Sequence, residues 1–157
     1  MLEMIMIIVV IAILAVLAIP RFDTYYDLKL NGAARKLISD IRYVQQISIS
    51  KHTGYGLEFD TGGNSYRVFL VSSDATIPDP TTRTNMIIDY DTSAEFAGID
   101  LNAVNFGGTA ELRFSSLGEP RDANNTALAA SGTVTLVYQG RTKTVTVTPE
   151  TGRATCN

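Results

Sequence analysis

Few side chains in this chain of 157 residues have types and spacings suited to acid–base or nucleophilic chemistry. His52 is the only histidine and Cys156 the only cysteine. A Ser-His-Asp or Cys-His arrangement would therefore have to use His52, and a zinc cage built from cysteines or several histidines is impossible. The sequence thus predicts a protein that is not an enzyme and that needs no cofactor.

The acidic residues Asp89, Asp91 and Asp100 raise the question of a calcium site. Their spacing lacks the alternating oxygen ligands and the central glycine of a known calcium-binding loop. The chain has a net charge of −3, and no Lys/Arg cluster stands out along it. We therefore predict no metal site, and bulk electrostatics do not indicate a nucleic acid as the partner.

Glu3 is followed by an apolar run from Met4 to Ile19, which Pro20 and Arg21 end. As a helix, residues 1–19 would be about 28 Å long, close to the roughly 30 Å of a bilayer's hydrocarbon core. No basic residue precedes the run and no small-x-small cleavage site follows it, which disfavours a cleaved secretory signal. The alternatives are an uncleaved membrane anchor and a helix that leaves the membrane for an equally apolar site.

The second part of the N-terminal helix is predicted to be amphipathic. Pro20 removes a backbone donor and so breaks or bends the helix. Beyond it, apolar residues recur at spacings of three and four, the period of a helix that buries one face. They are Leu30, Ala34, Leu37, Ile41 and Val44, with Ile38 and Ile47 widening the stripe. Arg35, Lys36, Asp40 and Arg42 lie mostly off this stripe, and Gly54 is expected to cap the helix near residue 52.

Beyond residue 53 the pattern changes to strands. Residues 55–60 and 65–72 flank a Thr-Gly-Gly-Asn turn, and residues 133–138 and 142–148 alternate on either side of a Gln-Gly-Arg turn, so each pair predicts a hairpin. Further short strands are predicted at 86–88, 99–104 and 110–114. The fold class is therefore α+β, with a long bent N-terminal helix packed on an antiparallel β-sheet or β-sandwich head.

Together these features resemble the type IV pilin and type II secretion pseudopilin superfamily. Its members carry an acid near the mature N-terminus, an uninterrupted apolar run and a proline that ends it. The corresponding features here are Glu3, the run Met4–Ile19 and Pro20. Within the superfamily the chain is most similar to minor pseudopilins of the GspH/FimT type, and three stretches carry this likeness: residues 33–52, 112–118 and 147–153.

The resemblance implies roles for Glu3 and Pro20 in filament assembly and register. In a filament whose apolar helices form a central bundle, the Glu3 carboxylate would pair with the α-amine of the neighbouring subunit, because an unpaired charge there is costly. The alternative is an acid that lies at the membrane surface. The bend at Pro20 would either orient the head against the filament axis or be only a steric consequence of the end of the anchor. The apolar side chains expected in the membrane or filament core are Met4, Ile7, Ile11, Leu14 and Leu17.

Family precursors carry a short basic leader that ends in glycine, with the acid fifth after the cleavage point. In this chain the acid is third, at Glu3. We therefore expect the chain to begin two residues inside the mature form and the upstream DNA to encode a leader.

Two features near the C-terminus have more than one interpretation. FimT-like pilins that take up DNA end in Gly-Arg-x-Arg, whereas residues 152–155 lack the second arginine. Arg141, Lys143 and Arg153 are candidates for a weak basic patch, although so few charges give little salt-dependent affinity for DNA. Cys156 is expected on a flexible tail, where it is a candidate for an intermolecular disulfide in an oxidising compartment.

The resemblance implies a structural filament subunit, in particular a minor pilin or pseudopilin of a type II secretion pseudopilus or type IV pilus. The alternatives are a major structural pilin and a DNA-uptake minor pilin. The implied partners are other pilin or pseudopilin subunits, the inner membrane, a prepilin peptidase and an assembly platform, with nucleic acid not expected. The subunit would span the inner membrane once before assembly and then belong to a periplasmic or extracellular filament.

The same resemblance implies a division of the chain into two regions. Residues 1–21 would form the transmembrane or filament-core helix segment. Residues 22–157 would form the globular head, which includes the amphipathic half of the helix (22–52) and the β region (53–157).

Overall fold

The backbone forms two helices followed by ten strands in a computed structural model that describes residues 2–17 and 22–157. The helices are α1 (Leu2–Leu17) and α2 (Phe22–Lys51). The strands are β1 (Tyr55–Asp60), β2 (Ser65–Leu70), β3 (Ala75–Thr76), β4 (Ile87–Asp89), β5 (Asp100–Asn105), β6 (Glu111–Phe114), β7 (Pro120–Arg121), β8 (Gly132–Tyr138), β9 (Arg141–Val147) and β10 (Ala154–Cys156). The predicted α+β class is confirmed.

The strands form two antiparallel sheets. One has the order β3-β2-β1-β6-β7, with β4 also paired to β2, and the other has the order β10-β9-β8-β5. Both predicted hairpins are present, as β1–β2 and β8–β9. Gln139 and Gly140 join β8 to β9 with φ angles of 49° and 75°. A type I′ turn needs positive φ at both positions, and its twist matches that of the strands it connects.

One face of α2 packs on strands of both sheets. The predicted stripe is buried, since none of its five residues exposes more than 1% of its surface. The sheets contribute aliphatic side chains to the same core, among them Leu57, Val68, Leu112, Val134, Leu136 and Val145. Burying one large aliphatic side chain contributes about 1.5–3 kcal/mol. The apolar face is therefore the main attachment of α2 to the head.

A buried polar cluster lies at the edge of this core. Asp40, which the sequence placed off the apolar stripe, exposes only 4% of its surface. Its carboxylate accepts hydrogen bonds from the Lys36 ammonium at 2.6 Å and from the Tyr66 hydroxyl at 2.7 Å, which offset the loss of water. Burial raises the pKa of Tyr66 well above its ordinary value, and the neighbouring Tyr90 and Asp40 raise it further. Among the described residues, the buried Tyr90 hydroxyl finds no hydrogen-bond partner.

The C-terminal end of α2 differs from the expectation. His52, not Gly54, takes the left-handed conformation, with a φ of 49°. The amides of His52 and Thr53 donate to the carbonyl oxygens of Ile49 and Ser48. This pair of bonds is the Schellman arrangement, which satisfies carbonyls that the end of a helix leaves free. The cap therefore precedes the glycine by two residues.

Candidate assembly surface

α1 is an apolar helix whose described side chains are all exposed. These are the side chains of residues 2–13. Met4 exposes 67% of its surface, Ile7 55% and Ile11 60%. Single exposed apolar residues are ordinary on proteins, but a continuous apolar surface of this size marks a contact with another protein or with lipid.

Glu3 lies in the first turn of α1 and is exposed. A carboxylate is favourable there because the free amide groups at a helix N-terminus carry partial positive charge. Leu14 and Leu17 belong to α1, but their side chains lie outside the described part of the structure, and Pro20 lies outside it altogether.

Within residues 2–17 and 22–157, no helix combines the length and the apolar character needed to cross a membrane.

The tip of the β8–β9 hairpin contacts the first turns of α2. Arg141 forms an ion pair with Asp27. The ring of Tyr26 meets the ring of Tyr138 edge-on, with the centroids 5.6 Å apart. The Lys29 ammonium lies 4.9 Å from the centre of the Tyr138 ring, within the range of cation–π attraction. These contacts attach the β8–β9 hairpin to the N-terminal part of α2.

Nearer the C-terminal end of α2, Gln45 attaches the helix to two loops of the β region. Its side-chain amide donates to the carbonyl oxygen of Gly118 at 2.9 Å and to that of Thr151 at 2.8 Å. Gly118 and Gly152 have φ angles of 83° and 65°, which residues with a Cβ rarely adopt. Both loops belong to the stretches that carry the family resemblance, so those stretches form the attachment of the head to its helix. Sequence reasoning gave Gln45 no role.

The three residues predicted as a basic patch are spread along β9 and beyond it. About 20 Å of strand separates Arg141 at the start of β9 from its end, after which Arg153 follows. Arg141 and Lys143 share a strand face with the buried Val145 and Val147, because alternate residues of a strand point the same way. A compact phosphate-binding site would need these three cations close together. Their spread along β9 and beyond it keeps them apart.

Cys156 lies in β10 and not on a flexible tail, so that expectation is wrong. β10 pairs with β9 and places Cys156 opposite Val145. Its side chain is half-buried against the core. The last residues add a strand to the second sheet, and Asn157 still exchanges backbone hydrogen bonds with Thr144. A disulfide between subunits through Cys156 stays a prediction.

The acidic segment that begins at Asp89 is organised by turns. The Asp89 carboxylate accepts hydrogen bonds from the backbone amides of Asp91 at 2.8 Å and Thr92 at 3.1 Å. Hydrogen bonds from Thr92 and Asp91 lower the pKa of Asp89. In the part of the chain that the structure describes, no three His, Cys, Asp or Glu side chains come together as a group that could hold a metal ion.

An apolar helix, an amphipathic helix and an antiparallel β-rich head together define a pilin-like protein. Among solved structures, the type IV minor pilin FimU of Pseudomonas aeruginosa has this fold, with a TM-score of 0.58 at 14% identity over 88% of this chain and 92% of that chain. The minor pseudopilin EpsH from the type 2 secretion system of Vibrio cholerae also has it, with a TM-score of 0.58 at 13% identity over 85% of this chain and 96% of that chain. At such identities the likeness shows the fold alone. No curated protein matched the chain by sequence.

The sequence profile of the family described as "Type II transport protein GspH" matches residues 33–152. The chain belongs to this family. The matched region contains most of α2 and nine of the ten described strands. The predicted family, the pilin-like fold and the class of minor pilin or pseudopilin subunit are thereby confirmed.

Proposed function

We propose that the chain is built into a type II secretion pseudopilus or a type IV pilus through α1. Before assembly, α1 anchors the subunit in the inner membrane. In the filament, α1 packs against the corresponding helices of neighbouring subunits, and the head remains outside this core. A prepilin peptidase processes the subunit, and an assembly platform moves it from the membrane into the filament.

The exposed apolar surface of α1 is the observation that carries this proposal. Eleven of its sixteen residues are Leu, Ile or Val. On the membrane-insertion scale these contribute on the order of −3 to −7 kcal/mol. The same surface is unfavourable in water. Lipid and a bundle of similar helices both remove it from water, so the helix can pass from one to the other at little net cost in apolar hydration.

Glu3 supplies the register of this packing. Its carboxylate enters an apolar bundle, where a charge without a partner is strongly unfavourable. The α-amine of the neighbouring subunit is a partner of opposite charge near the same height along the filament. A single polar pair in an apolar interface favours the one alignment that satisfies it, as a buried polar residue does in a coiled coil.

Replacing Glu3 with alanine tests this proposal in cells that carry the native assembly machinery. We expect the amount of the variant in sheared filaments to fall sharply while its amount in the membrane fraction stays the same. Glu3→Asp keeps the charge and is expected to retain part of the filament signal. Incorporation of Glu3→Ala at the wild-type level would contradict the register role.

The proportion of this chain in sheared fibres separates a minor from a major subunit. A minor pilin or pseudopilin is expected to be a small fraction of the fibre protein by mass spectrometry. A fibre made mostly of this chain would favour a major structural pilin instead.

A further inference from the structure

Part of the solvent face of α2 carries two exposed arginines, Arg35 and Arg42. A shallow depression of about 560 Å³ lies along this face, and its lining residues are Arg35, Ile38, Ser39, Arg42, Tyr43 and Gln46. Arg35 and Arg42 are both exposed and lie about 10 Å apart along the helix axis, which is two turns. Their like charges repel each other when no anion lies between them.

Half of the eight arginines in residues 22–157 already have a carboxylate partner. Ion pairs with carboxylates involve Arg67, Arg113, Arg121 and Arg141. No carboxylate among the described residues comes within ion-pair distance of four others, namely Arg35, Arg42, Arg83 and Arg153.

Three of these four arginines lie on one side of the molecule. Arg42 donates to the carbonyl oxygen of Ala154 at 3.3 Å, and Arg153 is the residue before Ala154 in the chain. Arg35 lies two helical turns before Arg42, on the same exposed face. Three of the four arginines without a carboxylate partner among the described residues therefore lie at the depression or beside it.

We infer that this basic face of α2 is a contact surface for a neighbouring pilin-type subunit, which presents Asp or Glu side chains to Arg35 and Arg42. The inference rests on the proposed function, because it takes the neighbour to be a subunit of the same filament. A guanidinium offers a planar fork of donors that matches a carboxylate. Ile38 and Tyr43 provide apolar surface that the same contact would cover.

The two edges of α2 differ in the charge of the residues beside them. Asp89 and Glu95 lie around Lys36, at the edge of α2 away from Arg42 and Ala154. The head is thus acidic beside one edge of α2 and basic at the other. A contact between unlike surfaces of two subunits is heterologous, so a neighbouring subunit can meet the basic face without offering the same surface in return.

A charge reversal with a matched control tests the surface in cells that assemble the filament. Arg35→Glu is compared with Arg83→Glu, since both positions are exposed and neither arginine has a carboxylate partner among the described residues. We expect Arg35→Glu to lower the ratio of filament to membrane signal about tenfold, because attraction is replaced by repulsion. Arg83→Glu is expected to keep the wild-type ratio. Equal ratios for the two variants would overturn the inference, provided that their unfolding midpoints match.

Arg35→Lys provides a second readout that identifies the partner. The lysine keeps the charge, so assembly is retained, and its amine can be coupled directly to a contacting carboxylate by a carbodiimide. We expect a coupled peptide that joins position 35 to an Asp or Glu of a neighbouring subunit in sheared filaments, and none from Arg83→Lys. Coupling only within the same chain, or no coupling at position 35, would overturn the inference.

Failure of the proposed function and failure of the inferred contact surface would give different results. If the wild-type chain is absent from sheared filaments, the proposed function fails. If the wild-type chain and Arg35→Glu are present in equal amounts, only the contact surface fails. Loss of DNA binding by Arg35→Glu without any loss from filaments would assign the basic face to a nucleic acid and would also overturn the inference.

Discussion

The side-chain amide of Gln45 lies 2.9 Å from the carbonyl oxygen of Gly118, a contact between residues 73 positions apart in the chain. The same amide also reaches Thr151, so one side chain of α2 joins two loops of the head. At the opposite end of the helix, Arg141 pairs with Asp27. The helix that leads to α1 is therefore attached to the head at both ends as well as through its apolar face.

Replacing Gln45 with alanine removes both of its hydrogen bonds. At about 0.5–1.5 kcal/mol each, the variant is expected to lose about 1–3 kcal/mol of unfolding free energy. The measurement is the thermal unfolding midpoint of the full chain in detergent. Gln46→Ala is the control because Gln46 is exposed, and it is expected to change stability by less than about 0.5 kcal/mol. Equal shifts for the two variants would show that the bridge contributes nothing.

Gly152→Ala is expected to destabilise the head more than Gly140→Ala. Both glycines have positive φ, 65° and 75°, so alanine at either position adds about 1–2 kcal/mol of backbone strain. A Cβ on Gly152 would also lie 2.6 Å from Nε2 of Gln45 and 2.7 Å from a ring carbon of Phe114, whereas a Cβ on Gly140 has nothing within 4 Å. The difference between the two unfolding midpoints measures the cost of this crowding, which includes displacement of the Gln45 amide from its two hydrogen bonds. Identical midpoints would contradict the close packing of this loop on α2.

The two buried tyrosines near Asp40 are expected to respond differently to loss of their hydroxyl groups. Tyr66→Phe removes a 2.7 Å hydrogen bond to a carboxylate and should cost about 1–3 kcal/mol. Tyr90→Phe removes a buried hydroxyl that has no hydrogen-bond partner among the described residues, and is expected to be neutral or stabilising. Chemical denaturation of both variants checks this order, and a larger loss for Tyr90→Phe would contradict it.

Stability is expected to fall at alkaline pH because of the same two tyrosines. Burial raises the pKa of Tyr66 and of Tyr90 above the value of about 10 found in an unfolded chain. Above that pH the unfolded chain loses protons that the folded protein keeps, so the free energy of unfolding decreases as the pH rises. Below pH 10 this contribution is fully present. Tyr90→Phe should show a shallower decrease between pH 10 and 11 than the wild type, and an unchanged slope would refute this origin.

Local patterns predicted the elements that neighbouring residues determine. The helical period identified the buried residues Leu30 to Val44, because one face of α2 meets both sheets. The turn composition identified both hairpins, because positive φ at Gln139 and Gly140 is a local requirement. The predicted strands at 86–88, 99–104 and 110–114 correspond to β4, β5 and β6 with ends shifted by one residue where they differ.

Contacts between distant residues could not be predicted in this way. β3, β7 and β10 are two or three residues long and exist because a neighbouring strand pairs with them. Asp40 lies off the apolar stripe by its spacing, yet it is buried because Lys36 and Tyr66 satisfy its carboxylate. The bridge made by Gln45 joins loops that nothing in the local sequence connects to α2. The apolar character of α1 could be predicted from the sequence, whereas sequence reasoning gave the exposed arginines of α2 no role.

A charge in the middle of α1 is expected to release the subunit from the membrane. Ile11→Asp adds roughly 2.5–3.5 kcal/mol to the insertion free energy and also loses the contribution of an isoleucine. Ile87→Asp is the control, since Ile87 is 52% exposed but belongs to β4 of the head. Fractionation of cells should find less Ile11→Asp in the membrane and in filaments, with Ile87→Asp unchanged. Equal fractionation of both variants would contradict the anchoring role.

Cross-linking from α1 inside intact filaments tests directly whether α1 forms the filament core. A photoreactive residue at Ile7, which is 55% exposed in the isolated subunit, would report what surrounds the helix after assembly. We expect cross-links from position 7 to the N-terminal helices of neighbouring pilin-type subunits in sheared filaments. Filaments in which position 7 cross-links only to the head of its own chain, or to no protein, would contradict a filament core built from α1.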